Sequence, residues 1–148
     1  MNNKELQGIF VSGPVTPEFI AASIQKHQRK TDIGAHQLFL GQVRADQKDG
    51  MTCEGIEYSA YMDMANERMK EYREKLFHEF PITCMHVYHS LGWVEAGQIS
   101  LFVFVSSPHR TACMDVCRLL VEWIKKELPV WGREQFSGMK QWKKNTSG

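Results

Sequence analysis

The chain has few of the features that would place it outside the folded globular class. No apolar run approaches the ~20 residues of a membrane span, and the opening "MNNKELQGIFVSGPV" holds no signal-peptide core, so a cytoplasmic chain is expected. Net charge is also scarce, at +1, which excludes a protein that coats nucleic acid through bulk charge. Any anion site must come from local clustering of Lys and Arg. Repeats, low-complexity tracts and linkers are missing, so residues 1–148 read as one domain, with a flexible tail from about residue 137. Cysteine is sparse. Cys53, Cys84, Cys113 and Cys117 lie inside apolar patterns and read as reduced core residues. Cys113 and Cys117 stand four apart, on one helix face, but no second Cys or His pair stands at zinc spacing. His27, His36, His78, His86 and His89 show no pairing at ligand spacing either, so no metal is expected.

What is present is an ordinary 43% hydrophobic and 24% charged composition, enough for a proper core in 148 residues. "GIFVSG" reads as a short strand. Thr16 as N-cap and Pro17 at the first helical position open a helix within Pro14 to Lys30, with Phe19, Ile20, Ser23 and Ile24 on its apolar side. "GAHQLFLGQV" is a strand, "RADQKDGM" a polar, mobile loop, and "TCEGIEYSAY" a second strand. Asp63 to Phe80 is a charged helix with Met64, Met69, Tyr72, Leu76 and Phe77 as its apolar residues. "ITCMHVYHSLGWV" and "QISLFVFVSS" form a hairpin with Gly97 near its turn. His109 to Leu128 is the strongest helix, with Cys113, Val116, Cys117, Leu120 and Ile124 on one face and Asp115, Arg118 and Glu122 on the other, and Pro129 ends it. Two β-rich runs in succession favour α+β over a doubly wound sheet.

Three segments could carry chemistry. In "SSPHRTA" a strand runs into a helix N-terminus bearing His109 and Arg110. Free amides, a guanidinium and an imidazole there suit a phosphate, while plain capping with a surface arginine is the alternative. Arg44, ending "GQVR", is a basic residue where a strand meets a loop. His86 and His89 fit a strand pattern and read as core or edge residues. Lys125 and Lys126 close the last helix, where the dipole alone favours cations, which is the ordinary reading; the sequence also permits a lysine there to act as nucleophile or base.

"GAHQLFLGQVR", "IEYSAYMDMA", "SSPHR" and "IKKELPVWGRE" together resemble the large, catalytic subunit of molybdopterin synthase, in order and spacing, from about Gly34 to Phe136. The resemblance implies an α/β-hammerhead fold with an additional antiparallel sheet. It implies sulfur transfer to cyclic pyranopterin monophosphate, forming the dithiolene of molybdopterin, without metal or cofactor. The sulfur donor is a small ubiquitin-like subunit with a C-terminal Gly-Gly thiocarboxylate, and two such subunits flank a homodimer of the large one. Carried over by motif, Lys125 is the catalytic residue, and Gln42, Arg44, His109, Arg110, Arg133 and Glu134 bind substrate. Pro129 and Trp131 turn the chain so that Arg133 and Glu134 face that substrate.

This chain departs from the family at Gly132, where a second basic residue usually follows the tryptophan, at Ser90, where arginine is common, and at Gln42, where lysine occurs. Lys126, Lys140 or Lys143 could supply the missing charge. A partner-binding but weakly active family member is therefore the alternative reading. A nucleic-acid binder using "KQWKK" is disfavoured by the near-neutral charge. One expectation is independent of the family. Arg110 and Lys125 lie fifteen residues apart on one helix, about 22 Å at 1.5 Å per residue. If both serve one small substrate, they come from different chains of a dimer.

Overall fold

A computed structural model describes residues 4–137. Its centre is the expected hairpin, β6 (Cys84–Glu95) and β7 (Ile99–Ser107), which follows β1 (Lys4–Glu5), β2 (Phe10–Ser12), α1 (Pro17–His27), β3 (Ala35–Gln42), β4 (Gln47–Lys48) and β5 (Met51–Ala60). Helix α2 (Met62–Glu79) precedes the hairpin; α3 (Arg110–Glu127) and β8 (Val130–Ser137) follow it.

One eight-stranded sheet is folded into two halves by β6. Its first half, Cys84 to His89, pairs antiparallel with β7, and residues 89–91 lie parallel to β2. Its second half, Gly92 to Glu95, pairs with β5. At the junction Gly92 takes φ 87°, a conformation that side chains disfavour, and this residue carries the strand from one half to the other. β3 covers the other edge of β7, while β8 and β4 flank β5. The fold is the α+β architecture expected, with β4, β5, β8 and the end of β6 forming the additional antiparallel half of the sheet.

β7 is buried from Ser100 to Ser107 because both of its faces are covered. Leu101, Val103 and Val105 pack in a core with Met69 and Leu76 of α2 and Val116, Leu120 and Ile124 of α3. Phe102 and Phe104 point the other way, into a smaller core with Ile20 of α1, Val11 and Val15. That is why "LFVFV" reads as a continuous apolar run rather than an alternation. Each fully buried Phe or Leu contributes about 1.5–3 kcal/mol.

The helices start and stop where their chemistry dictates. Thr16 Oγ1 accepts from the Phe19 amide at 3.1 Å, and Pro17 opens α1. All five residues expected on the apolar stripe of α3 are buried, and Leu128 before Pro129 has left helical geometry. On α2 the stripe differs by one residue: Met64 is 46% exposed and Ala65 is buried instead. The loop expected at "RADQKDGM" contains a tight hairpin. Asp49 and Gly50 both have positive φ, 53° and 77°, and join β4 to β5. An Asp-Gly pair is the usual composition of such a turn. Strand β8 was not expected as a strand.

Candidate active site

α3 starts where β7 ends, packs back over β3 and β7, and finishes beside His89, so it links two ends of the sheet. Lys125 is exposed in its last turn, next to the buried Ile124 and just before the buried Leu128. His89 is itself buried, with Nδ1 2.8 Å from the Ser90 carbonyl oxygen and the Tyr58 ring edge-on at 5.2 Å. Burial pushes its imidazole down to about 4; the Ser90 carbonyl opposes this shift, and the nearby Lys125 ammonium adds to it. The Tyr58 hydroxyl in turn donates to Ser100 Oγ at 3.2 Å.

Gly132 lies opposite Tyr58 across the β5–β8 ladder. A Cβ there would stand 2.7 Å from Ile56 Cγ2 and 3.2 Å from Tyr58 Cε1, so the space of a side chain at this position is already filled. Arg133 and Glu134 pair with Glu57 and Ile56. Being adjacent in a strand, they point to opposite faces, which corrects the expectation that both face one substrate. Glu134 shares its face with Gly132, and Arg133 shares the other with Trp131. Trp131 is half exposed and meets Tyr61 edge-on at 4.9 Å.

Gln42 and Arg44 belong to the same end of the sheet as Lys125. β3 runs from Ala35, opposite Ser107, to Gln42, opposite Ile99. Val43 is fixed there by its amide to Gln98 O (3.0 Å) and its carbonyl to the Gly97 amide (2.8 Å). Arg44 is exposed, with Nε 3.3 Å from Asp46 Oδ1, a surface pair of small energetic consequence.

His109 and Arg110 stand at the opposite end, both exposed. Ser107 Oγ accepts from the Cys113 amide at 3.0 Å and donates to the His109 carbonyl at 2.5 Å, fixing the strand-to-helix turn. Gly34 packs beneath it. A Cβ on Gly34 would lie 2.1 Å from the Pro108 carbonyl oxygen, an approach only glycine permits. His109 gives no side-chain cap, so the positive end of the α3 dipole coincides with Arg110. The sequence candidates thus form two groups, Gln42, Arg44 and Lys125 against His109 and Arg110, about 22 Å apart along α3. Lys126 is exposed beside Lys125, while Lys140 and Lys143 lie outside the described residues.

Sequence spacing missed one cluster. His27, Cys84 and His86 bring their donor atoms within 4.8 Å of one another, although the histidines show no pairing at ligand spacing along the chain. His27 and His86 are 59 positions apart, which no local spacing rule covers. The available signal was helical: His27 continues the stripe of Ile20 and Ile24 on α1. All four cysteines are buried and free. Burial, with Cys113 beside it, pushes the Cys117 thiol up to about 11, so it is not a nucleophile near neutrality.

Fold and topology define an α+β hammerhead protein with an additional antiparallel half of the sheet. The chain belongs to the MoaE protein family, whose pattern it matches over residues 15–127. It is 37% identical over 116 residues to molybdopterin synthase catalytic subunit 1 of Aedes aegypti, covering 76% of this chain and 74% of that one. It is 37% identical over 104 residues to the molybdopterin synthase catalytic subunit of Pyrococcus abyssi, covering 70% of each. Among solved structures, the molybdopterin synthase of Staphylococcus aureus superposes with a TM-score of 0.75 at 26% identity, over 91% of this chain and 99% of that one. A chain in the complex of subunits 1 and 2 of the Helicobacter pylori molybdopterin-converting factor shares the fold, with a TM-score of 0.73 at 20% identity over 84% and 82% of the chains. No helix among the described residues is long and apolar enough to cross a membrane.

Proposed function

We propose that this chain is the catalytic subunit of a molybdopterin synthase. It moves sulfur from the C-terminal Gly-Gly thiocarboxylate of a small ubiquitin-like subunit to cyclic pyranopterin monophosphate. The observation that supports this reading is that Lys125 closes α3 toward the end of the sheet where β3 reaches Gln42, while His109 and Arg110 open α3 at the other end. The substrate is anionic, and attack by a thiocarboxylate on a pterin carbon develops further negative charge. Fixed cations and helix amides stabilise that charge. Arg110 and the first turn of α3 suit the phosphate. Lys125, beside a neutral imidazole, serves the reacting carbon by proton transfer or by a transient covalent bond. Two copies of the chain, each giving one end of α3, complete one site between them.

The test is reconstitution with the thiocarboxylated small subunit and the cyclic precursor, scoring dithiolene formation. Wild type turns over and Lys125→Ala loses activity by about 100-fold or more. An unchanged rate in that variant would remove Lys125 from the chemistry. The second reading, a partner-binding subunit without turnover, is favoured by Gly132, where the usual cation is missing. It predicts small-subunit binding by wild type with no product.

A further inference from the structure

On the α1 side of the sheet lies a cluster that the sulfur-transfer reading does not use. β6 alternates, so Met85 and Val87 enter the core under α2 and α3, while Cys84 and His86 face α1. There His86 Nε2 meets His27 Nε2 at 2.9 Å. We propose that His27, Cys84 and His86 form a three-ligand site for a soft, monovalent d10 ion, Cu+, joining helix α1 to strand β6.

The first argument is preorganisation. His27 Nδ1 lies 2.7 Å from the Ser23 carbonyl oxygen, which can only accept. Nδ1 therefore carries the ring proton, and Nε2 aims its lone pair into the cluster. This is the outer contact by which metal-binding imidazoles are oriented. Without an ion, His86 must donate Nε2–H to that lone pair. Metal–nitrogen bonds of about 2.0 Å need the two nitrogens about 3.3–3.5 Å apart, so a shift of roughly half an ångström admits the ion. His27 and Cys84 are buried and His86 is half-buried.

The second argument is charge, which selects the ion. Lys26 and Lys30 line one cavity beside His86 and Arg73 lines the other, so the cluster sits among fixed cations. Lys30 Nζ also donates to Cys84 Sγ at 3.0 Å. Glu5 is the carboxylate lining both cavities that flank His86. Two neutral imidazoles, one thiolate and Cu+ sum to zero, whereas a divalent ion would leave a net positive charge among Lys26, Lys30 and Arg73. Three donors also complete a Cu+ shell, while Zn2+ prefers four. Binding releases the Cys84 thiol proton and transfers the His86 ring proton from Nε2 to Nδ1; copper does not change oxidation state.

The test titrates the full chain with Cu+ under argon against a chromophoric Cu+ chelator, with Zn2+ in a parallel series. One equivalent of Cu+ should bind, with two nitrogens and one sulfur in the absorption-edge fine structure, and the melting temperature should rise. Cys84→Ser and His27→Gln should each weaken binding by about 100-fold. Lys30→Met, which removes a cation and no ligand, should narrow the preference for Cu+ over Zn2+. A sulfur-only shell, undiminished binding in Cys84→Ser, or tighter binding of Zn2+ than Cu+ by wild type would overturn the proposal. If the ligand variants fail to fold, the wild-type shell and the Lys30→Met comparison decide it.

Discussion

His89 packs 5.2 Å from Tyr58 and 6.3 Å from Phe10, with no carboxylate among the groups that shift it. Its imidazole titrates near 4 in the fold and near 6.5 when unfolded. Between those values the unfolded chain binds the extra proton, so stability rises with pH across that window and is lost as pH falls through it. The full difference is about 3 kcal/mol for this buried group. Urea midpoints measured from pH 7.5 down to 4.5 should fall accordingly, and His89→Gln should flatten that fall. An equally steep dependence in the variant would assign the acid sensitivity to other groups, His86 first. At this scale the sequence was informative where a residue answers to its own strand or helix. The strand pattern marks His89 as a core or edge residue, and the structure buries it; the stripe of α3 is legible residue by residue. It was silent where partners are remote, as with His27 and His86.

Strand β8 shows the corresponding limit for elements. "VWGREQF" has no clean alternation, because residues 131–135 are exposed on both faces of an edge strand. Without a buried face there is no period to read, and only the register against β5 reveals the strand. The same register explains Gly132. Ile56 and Tyr58 occupy the volume that a side chain there would need, so the glycine and its β5 neighbours form one packing unit. Gly132→Ala should cost about 1–3 kcal/mol by overpacking. Ile56→Ala in the same chain should recover most of that loss, giving a coupling of roughly 1 kcal/mol in a double-mutant cycle. Additive effects would mean that Ile56 yields freely and the crowding is unimportant. It follows that Gly132→Lys alone is a poor way to restore a missing cation; Ile56→Ala/Gly132→Lys is the better variant.

For the whole molecule, the length of α3 carried an inference that no single motif could. Fifteen residues separate Arg110 from Lys125, and β3 repeats the separation independently, with Gln42 opposite Ile99 and Ala35 opposite Ser107. The chemistry at both ends was legible as residue types, but their grouping depends on strand direction, which only the fold supplies. Arg44 joins Lys125, and His109 joins Arg110. If the two groups meet across a dimer, inactive variants should complement each other. Arg110→Ala and Lys125→Ala chains, mixed equally and refolded together, give half mixed dimers at random. Each mixed dimer holds one intact and one doubly altered site, so activity should return to about one quarter of wild type. Chains mixed without exchange should stay inactive, which separates complementation from residual activity. If both residues served one site within a single chain, every site in the mixture would still lack one of them, and no activity would return.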